Sequence, residues 1–207
     1  MKRKPIIEAI LAKREKVPIE QTLLVGISGI DAGGKGFITA KLAEKIRRDG
    51  FNVININADS WLNFPNIRFN PNNPAENFYK NAIRFDEMFA KLILPLKQNR
   101  SIDIIADFAE ETAVEFRKHE YFYENIEIIL LEGIFLFKNA FKDYFDLKIW
   151  IECSFETALQ RAISRSQENL SPEETVKAYR TIYFPAQKIH FVKDNPRQSA
   201  DLIFDNN

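Results

Sequence analysis

Short apolar runs alternate along this chain with longer stretches whose apolar residues recur every three or four positions. Ile6, Ile7, Ile10 and Leu11 stand among lysines and glutamates, which predicts an amphipathic helix over about 5–16, peripheral to the core. Residues 22–27 (Thr-Leu-Leu-Val-Gly-Ile) have no helical period and read as a strand, and Ile38, Leu42 and Ile46 then mark a helix over 35–48. Further strands are expected at 53–57, 102–106, 126–131 and 148–151, with helices at 77–96, 154–167 and 172–189. The last begins Ser171-Pro172-Glu173-Glu174, a cap followed by proline at the first helical position. Pro185 predicts a break near Phe184, so that the rings from Tyr179 onward read as core packing or, alternatively, as a lining for a ligand. Strands alternating with helices imply an α/β fold, a parallel sheet covered on both faces, within a single domain spanning 1–207.

Between the first strand and its helix lies Gly29-Ile30-Asp31-Ala32-Gly33-Gly34-Lys35, which fits the core of the P-loop pattern in its required context. Glycines let successive backbone N–H groups turn inward around phosphates, the helix start adds its positive dipole end, and Lys35 reaches the β- and γ-phosphates. The nucleotide contacts are therefore expected from Gly29 through Lys35, with Gly36 and Phe37 adjoining. The pattern is incomplete at position 36, where Gly36 replaces the Ser or Thr whose hydroxyl binds magnesium. ATP and Mg2+ are the expected cofactors, the metal held by nucleotide oxygens, waters and distant carboxylates.

In doubly wound sheets ligands bind beyond the carboxyl ends of the strands. Asp59, Asp107 and Glu132 each follow a predicted strand. A carboxylate facing the γ-phosphate can take the proton of an attacking hydroxyl, for which Asp59 is chosen, and a second can order magnesium-bound water. The plainer alternatives are a helix cap for Asp59, a turn for Asp107 and a solvated strand end for Glu132. Arg161 and Arg165 lie one turn apart on a predicted helix, placed to steady the transferring charge, or else simply on a solvated face. The asparagine- and proline-rich segment 63–77 is either a cover for the acceptor or an ordinary surface loop.

These motifs resemble the uridine–cytidine kinase family of P-loop kinases and, more distantly, phosphoribulokinase and pantothenate kinase. The likeness runs from Leu23 to Asp205. It is carried by the P-loop, Asp59-Ser60-Trp61, Phe85-Asp86, Asp107-Phe108, Leu131-Glu132-Gly133-Ile134, the Arg161/Arg165 pair and Ser199-Ala200-Asp201-Leu202-Ile203. The resemblance implies a three-layer P-loop NTPase fold with a five-stranded, mostly parallel sheet and a helical lid. It also implies a catalytic base at Asp59, a ribose-hydroxyl acceptor at Asp86, a stacking ring at Phe108, a magnesium-shell acid at Glu132 and lid arginines at Arg161 and Arg165, and Asp107 joins Asp59, Asp86, Phe108 and Glu132 as an expected substrate-binding residue. Two positions depart from the family's nucleoside pocket: Ala106 stands where it has tyrosine and Glu111 where it has histidine.

Composition narrows the partners. Lysine plus arginine and aspartate plus glutamate number 29 each, so no net field favours nucleic acid or an anionic membrane. Cys153 is alone and cannot close an internal disulfide, and no apolar run approaches a membrane span, which together suggest a soluble, cytoplasmic protein. His119 and His190 lack metal-ligand neighbours and are given no site role. The expected activity is ATP-dependent phosphoryl transfer to the hydroxyl of a small acceptor, a nucleoside first among candidates. The alternatives are a non-nucleoside alcohol as acceptor, or a nucleotide-binding regulator that keeps the fold without the transfer; homo-oligomer formation stays open.

Overall fold

A computed structural model describes residues 4–109, 111–165 and 170–207. Helix α1 (Lys4–Arg14) precedes strand β1 (Leu23–Gly29), which leads through the glycine-rich loop into α2 (Lys35–Arg48) and then β2 (Val53–Asn57). Short helices α3 (Pro65–Arg68), α4 (Pro74–Asn81), α5 (Phe85–Met88) and α6 (Leu94–Asn99) follow, then strands β3 (Ile102–Phe108), β4 (Arg117–Tyr123), β5 (Ile128–Gly133) and β6 (Leu147–Glu152). Helices α7 (Phe155–Arg165), α8 (Pro172–Ala178), α9 (Phe184–Asp194) and α10 (Pro196–Ser199) lead to β7 (Leu202–Asp205). The expected extension of the α7 helix to Gln167 lies outside the described residues.

Five parallel strands form one sheet in the order β2-β5-β1-β6-β7. Its central strands β1 and β5 are buried along their whole length, as strands covered on both faces must be. Leu23, Val25, Ile27, Ile38, Leu42 and Ile46 build one core with Ile6 and Ile10 of α1. The other face carries a larger core containing Leu24, Ile56, Trp61, Phe78, Met88, Phe135 and Trp150.

The strand expected at 102–106 is not in this sheet. It pairs antiparallel with β4 as a separate two-stranded ribbon, Ala106 opposite His119. The reason is in its alternation: Asp103 and Ile105 face solvent while Ala106 is buried, a one-sided pattern that suits an antiparallel ribbon and not a fully covered parallel strand. The fifth strand of the sheet is instead β7. β4 went unread because Arg117-Lys118-His119-Glu120 shows no apolar face.

The single long helix expected over 77–96 is broken. Asn63 N–H donates to the Ala82 carbonyl and Arg84 N–H to that of Trp61, so residues 82–84 pair with the chain after β2 rather than continue a helix. The irregularity expected near Phe184 takes the form of a π-helical turn over Tyr179–Tyr183, which joins α8 to α9 while the chain stays helical. A second π-turn, Phe89–Ile93, joins α5 to α6. Each is followed two residues on by a proline, Pro185 or Pro95. Proline lacks an N–H and clashes with the carbonyl four residues back, and the wider turn accommodates both defects. Ser171 caps α8 as expected, in a reciprocal capping box with Glu174.

Candidate active site

Strand register assembles the site. Glu132 on β5 lies between Ile27 of β1, two residues before the glycine-rich loop begins, and Asn57 of β2, two residues before Asp59. Ser28 Oγ donates to the Gly133 carbonyl at 3.1 Å, tying the two strand ends together. The loop turns sharply after Gly29: Gly33 N–H reaches the Ile30 carbonyl at 3.1 Å, and Gly34, at φ 87°, adopts the left-handed conformation that glycine tolerates best before α2 begins. Lys35 is buried, and its Nζ donates to the same Ile30 carbonyl at 2.9 Å. The loop therefore curls around its own lysine at a helix N-terminus, the arrangement that receives phosphates.

Asp59 sits on a 3-10 turn, Ala58–Ser60, whose cap is Asn57, with Asn57 Oδ1 accepting from Asp59 N–H at 2.8 Å. The Asp59 carboxylate is thus not the cap and points away from that role. Its side chain is exposed, and desolvation by the surrounding protein raises its pKa. Lys35 opposes the rise, Asp31 adds to it, and Arg165 and Arg68 oppose it. Glu132 is 6% exposed, and burial pushes its pKa up to about 7 against the pull of Lys35, with help from Asp59 and Asp31. Lys35, Asp31, Asp59 and Glu132 thus share one electrostatic neighbourhood.

Gly36 is explained by the same geometry. A Cβ placed there would stand 3.3 Å from Glu132 Oε1, so the glutamate carboxylate occupies the space beside the helix start where a side chain at position 36 would reach. Thr39 does not substitute for the missing hydroxyl, because its Oγ1 donates to the Lys35 carbonyl at 2.9 Å inside the helix. Phe37 is largely exposed. Among the described residues no group of three or more His, Cys, Asp or Glu side chains could cage a cation. Hard oxygen donors suit magnesium, and a buried carboxylate beside the phosphate loop fits one that completes its shell together with nucleotide oxygens and water.

The two arginines expected to form a lid go to different places. Arg165 Nη2 lies 3.9 Å from Asp31 Oδ1, above the loop. Arg161 instead donates to Cys153 Sγ at 3.4 Å and to the Asn206 carbonyl at 2.9 Å, and Asn206 Nδ2 donates to the Gly33 carbonyl at 2.8 Å. Asp31 also accepts a hydrogen bond from the Tyr179 hydroxyl. Neither Asn206 nor Tyr179 carried a sequence signal for this role, since each contact is made across most of the chain's length.

The residues expected around the acceptor are spread more widely. Asp107 is on the ribbon, not at the end of a sheet strand, and its carboxylate bonds Lys118 Nζ at 2.6 Å, which holds its pKa below the usual value. The Phe108 ring is 5.9 Å from His119. Asp86, exposed in the first turn of α5, supports the charge of Lys138, whose pKa burial lowers to about 8. The segment 63–77 is tied down: Arg68 is 4% exposed and donates to the Glu111 carbonyl, and Phe64 meets Phe116 with ring centroids 4.2 Å apart. Arg84 lies over the rings of Trp61 and Phe116 and donates to the carbonyls of Leu62 and Asp107. His190, fully buried, bonds Asp194, in keeping with a packing role.

Fold and loop together define a P-loop kinase. The chain belongs to the phosphoribulokinase / uridine kinase family, whose profile matches residues 24–206. It is 24% identical over 191 residues to the uridine kinase of Macrococcus caseolyticus, covering 89% of this chain and 88% of that one. It is 26% identical over 185 residues to uridine-cytidine kinase 2-B of Danio rerio, covering 81% and 67%. Among solved structures, one described as a possible uridine kinase from Bacillus stearothermophilus superposes with a TM-score of 0.74 at 19% identity, over 99% of this chain and all of the other. D-glycerate 3-kinase from Cryptococcus neoformans superposes at 0.60 with 10% identity, over 88% and 87%. Among the described residues no helix is long and apolar enough to cross a membrane.

Proposed function

We propose that this protein transfers the γ-phosphoryl group of ATP to a hydroxyl of a small acceptor, with a nucleoside as the first acceptor class. The observation that carries the reading is the convergence of Asp59 and Glu132 on Lys35 at the phosphate loop. The loop amides and Lys35 hold the triphosphate, and Arg165, beside Asp31, is placed to meet charge on the terminal phosphate. Asp59 accepts the acceptor's hydroxyl proton as that oxygen bonds the γ-phosphorus, and the bond from phosphorus to the β–γ bridging oxygen breaks to release ADP. The raised pKa of Asp59 suits a base that must take and then return a proton. Glu132 would hold magnesium, which when bound neutralises charge on the β- and γ-phosphates.

The names of the sequence relatives support a nucleoside acceptor, whereas Ala106 and Glu111 favour a different pocket for its base. A buried polar partner lost from such a pocket shifts substrate choice by orders of magnitude. A panel of pyrimidine and purine nucleosides and small polyols, each with Mg·ATP and read as ADP release, tests both levels. Stimulation by a nucleoside supports the full reading, stimulation by polyols alone keeps the transfer and replaces the acceptor, and background release with every acceptor overturns the transfer.

A further inference from the structure

Asp31 presents a problem for an anion-binding loop. It places a third carboxylate beside Asp59 and Glu132, both of which feel its charge, at the mouth that must receive a triphosphate. Two groups face it from the lid side. One oxygen, Oδ2, accepts from the Tyr179 hydroxyl, and the other, Oδ1, stands 3.9 Å from Arg165 Nη2. That separation is longer than the 2.7–2.9 Å of a charge-assisted hydrogen bond. Tyr179 aims from a fixed base: it is 3% exposed, and its ring packs edge-on against Tyr183 and Phe184 with centroids 5.0 and 5.3 Å away. Arg165, by contrast, has a half-exposed side chain that can swing, while Arg161 is anchored by Cys153 and Asn206.

We propose that Tyr179 is a positioning residue: by holding one oxygen of Asp31 turned toward its hydroxyl it keeps the carboxylate out of the orientation that a two-pronged Asp31–Arg165 pair needs, and so keeps Arg165 available for the γ-phosphate. The inference rests on the kinase reading above, because it needs a triphosphate in the loop. Without the phenol, both oxygens of Asp31 can turn to the planar guanidinium, and a bidentate pair is the arrangement such groups favour. The γ-phosphate would then have to break that pair before gaining the arginine. ADP, which lacks the γ-phosphate, would be indifferent.

The test compares ADP with the non-hydrolysable β,γ-imido analogue of ATP, each titrated with Mg2+ by calorimetry, and needs no acceptor. In Tyr179→Phe the ring packing is kept, and the analogue's affinity advantage over ADP is expected to fall by about fivefold while ADP binding stays within about twofold. Adding Asp31→Asn to that variant should restore the advantage, since an amide cannot pair with Arg165 as a carboxylate does. Asp31→Asn alone should equal or exceed the parent. An unchanged advantage in Tyr179→Phe, or no recovery in the double variant, overturns the proposal. Failure of the parent to bind either nucleotide overturns the kinase reading itself, and is told apart because ADP binding would then be lost before any substitution.

Discussion

The two sides of the site proposed above, one for phosphate and one for the acceptor, are built differently. On the phosphate side, one loop between a strand and a helix holds Lys35, and strand register delivers Glu132 and Asp59 to it within a few residues of Asn57. On the acceptor side, the segment 63–77, the β3–β4 ribbon and α5 are clasped by Arg84, Arg68 and the Phe64–Phe116 contact. The first is set by local backbone geometry and a parallel sheet, the second by side chains reaching between elements. A site of the first kind constrains chemistry, and one of the second kind can change its ligand without disturbing that chemistry.

The sharpest way to break this contrast is Asp59→Asn. Loss of the base should lower turnover by about 10³-fold with ATP affinity nearly unchanged, measured by single-turnover kinetics and calorimetry. Retained turnover would move the base elsewhere. Next in size is Glu132. Its pKa is about 7 in the folded protein against 4.5 for an ordinary glutamate. Between those values the folded state binds more protons than the unfolded one. Its favourable contribution is therefore complete below about pH 4.5 and is lost as pH rises through about 7, a change on the order of 3 kcal/mol. Urea unfolding of the nucleotide-free protein should show stability falling over this window, and Glu132→Gln should flatten that fall. An identical pH profile in the variant would show that Glu132 does not titrate there.

Arg84→Met tests the acceptor side alone. It should raise the acceptor KM by about tenfold through a loosened ribbon while leaving ATP affinity within about twofold, a split visible in steady-state kinetics. Equal losses for both substrates would show that the two sides are one mechanical unit. The smallest effect is expected from Gly36→Ser. The added Cβ meets Glu132 Oε1 at 3.3 Å, so the carboxylate must give by a few tenths of an ångström. Because one oxygen ligand then replaces another, Mn2+ affinity in the presence of ADP, followed by electron paramagnetic resonance, should change by less than about threefold. A gain beyond tenfold would mean that Glu132 does not take the place of the absent hydroxyl.

The same contrast decides what could be read from the sequence. Strands β1 and β5 and the loop are visible because fully buried parallel strands are continuous apolar runs and glycine spacing is local, while β2 and β6 show through short clusters of β-branched and aromatic residues, Val53, Ile54 and Ile56 in one and Ile149, Trp150 and Ile151 in the other. β3 is legible as a strand but its sheet is not, since five residues of Ile-Asp-Ile-Ile-Ala do not say which neighbour they pair with. β4 hides behind Arg117-Lys118-His119-Glu120. The bend at residues 82–84 comes from backbone pairing with residues 61–63, which periodicity does not record. Asp59 and Glu132 are legible from their position after a strand, and Lys35 from the glycine spacing of the loop. Tyr179 and Asn206 reach the loop from 148 and 173 residues away in sequence, and no local pattern announces such contacts.

The π-turn over Tyr179–Tyr183 has one more effect. An extra residue in a helical turn rotates everything downstream by about 100° relative to an uninterrupted α-helix. At the first residue of the turn, Tyr179 is directed at the glycine-rich loop; past it, Ala186, Gln187 and His190 are turned into the buried layer. One continuous rod thereby serves two audiences, gripping the glycine-rich loop at the turn and the body of the molecule beyond it. Excising a single residue from the bulge would mis-phase the two halves, so that keeping either grip would mean giving up the other.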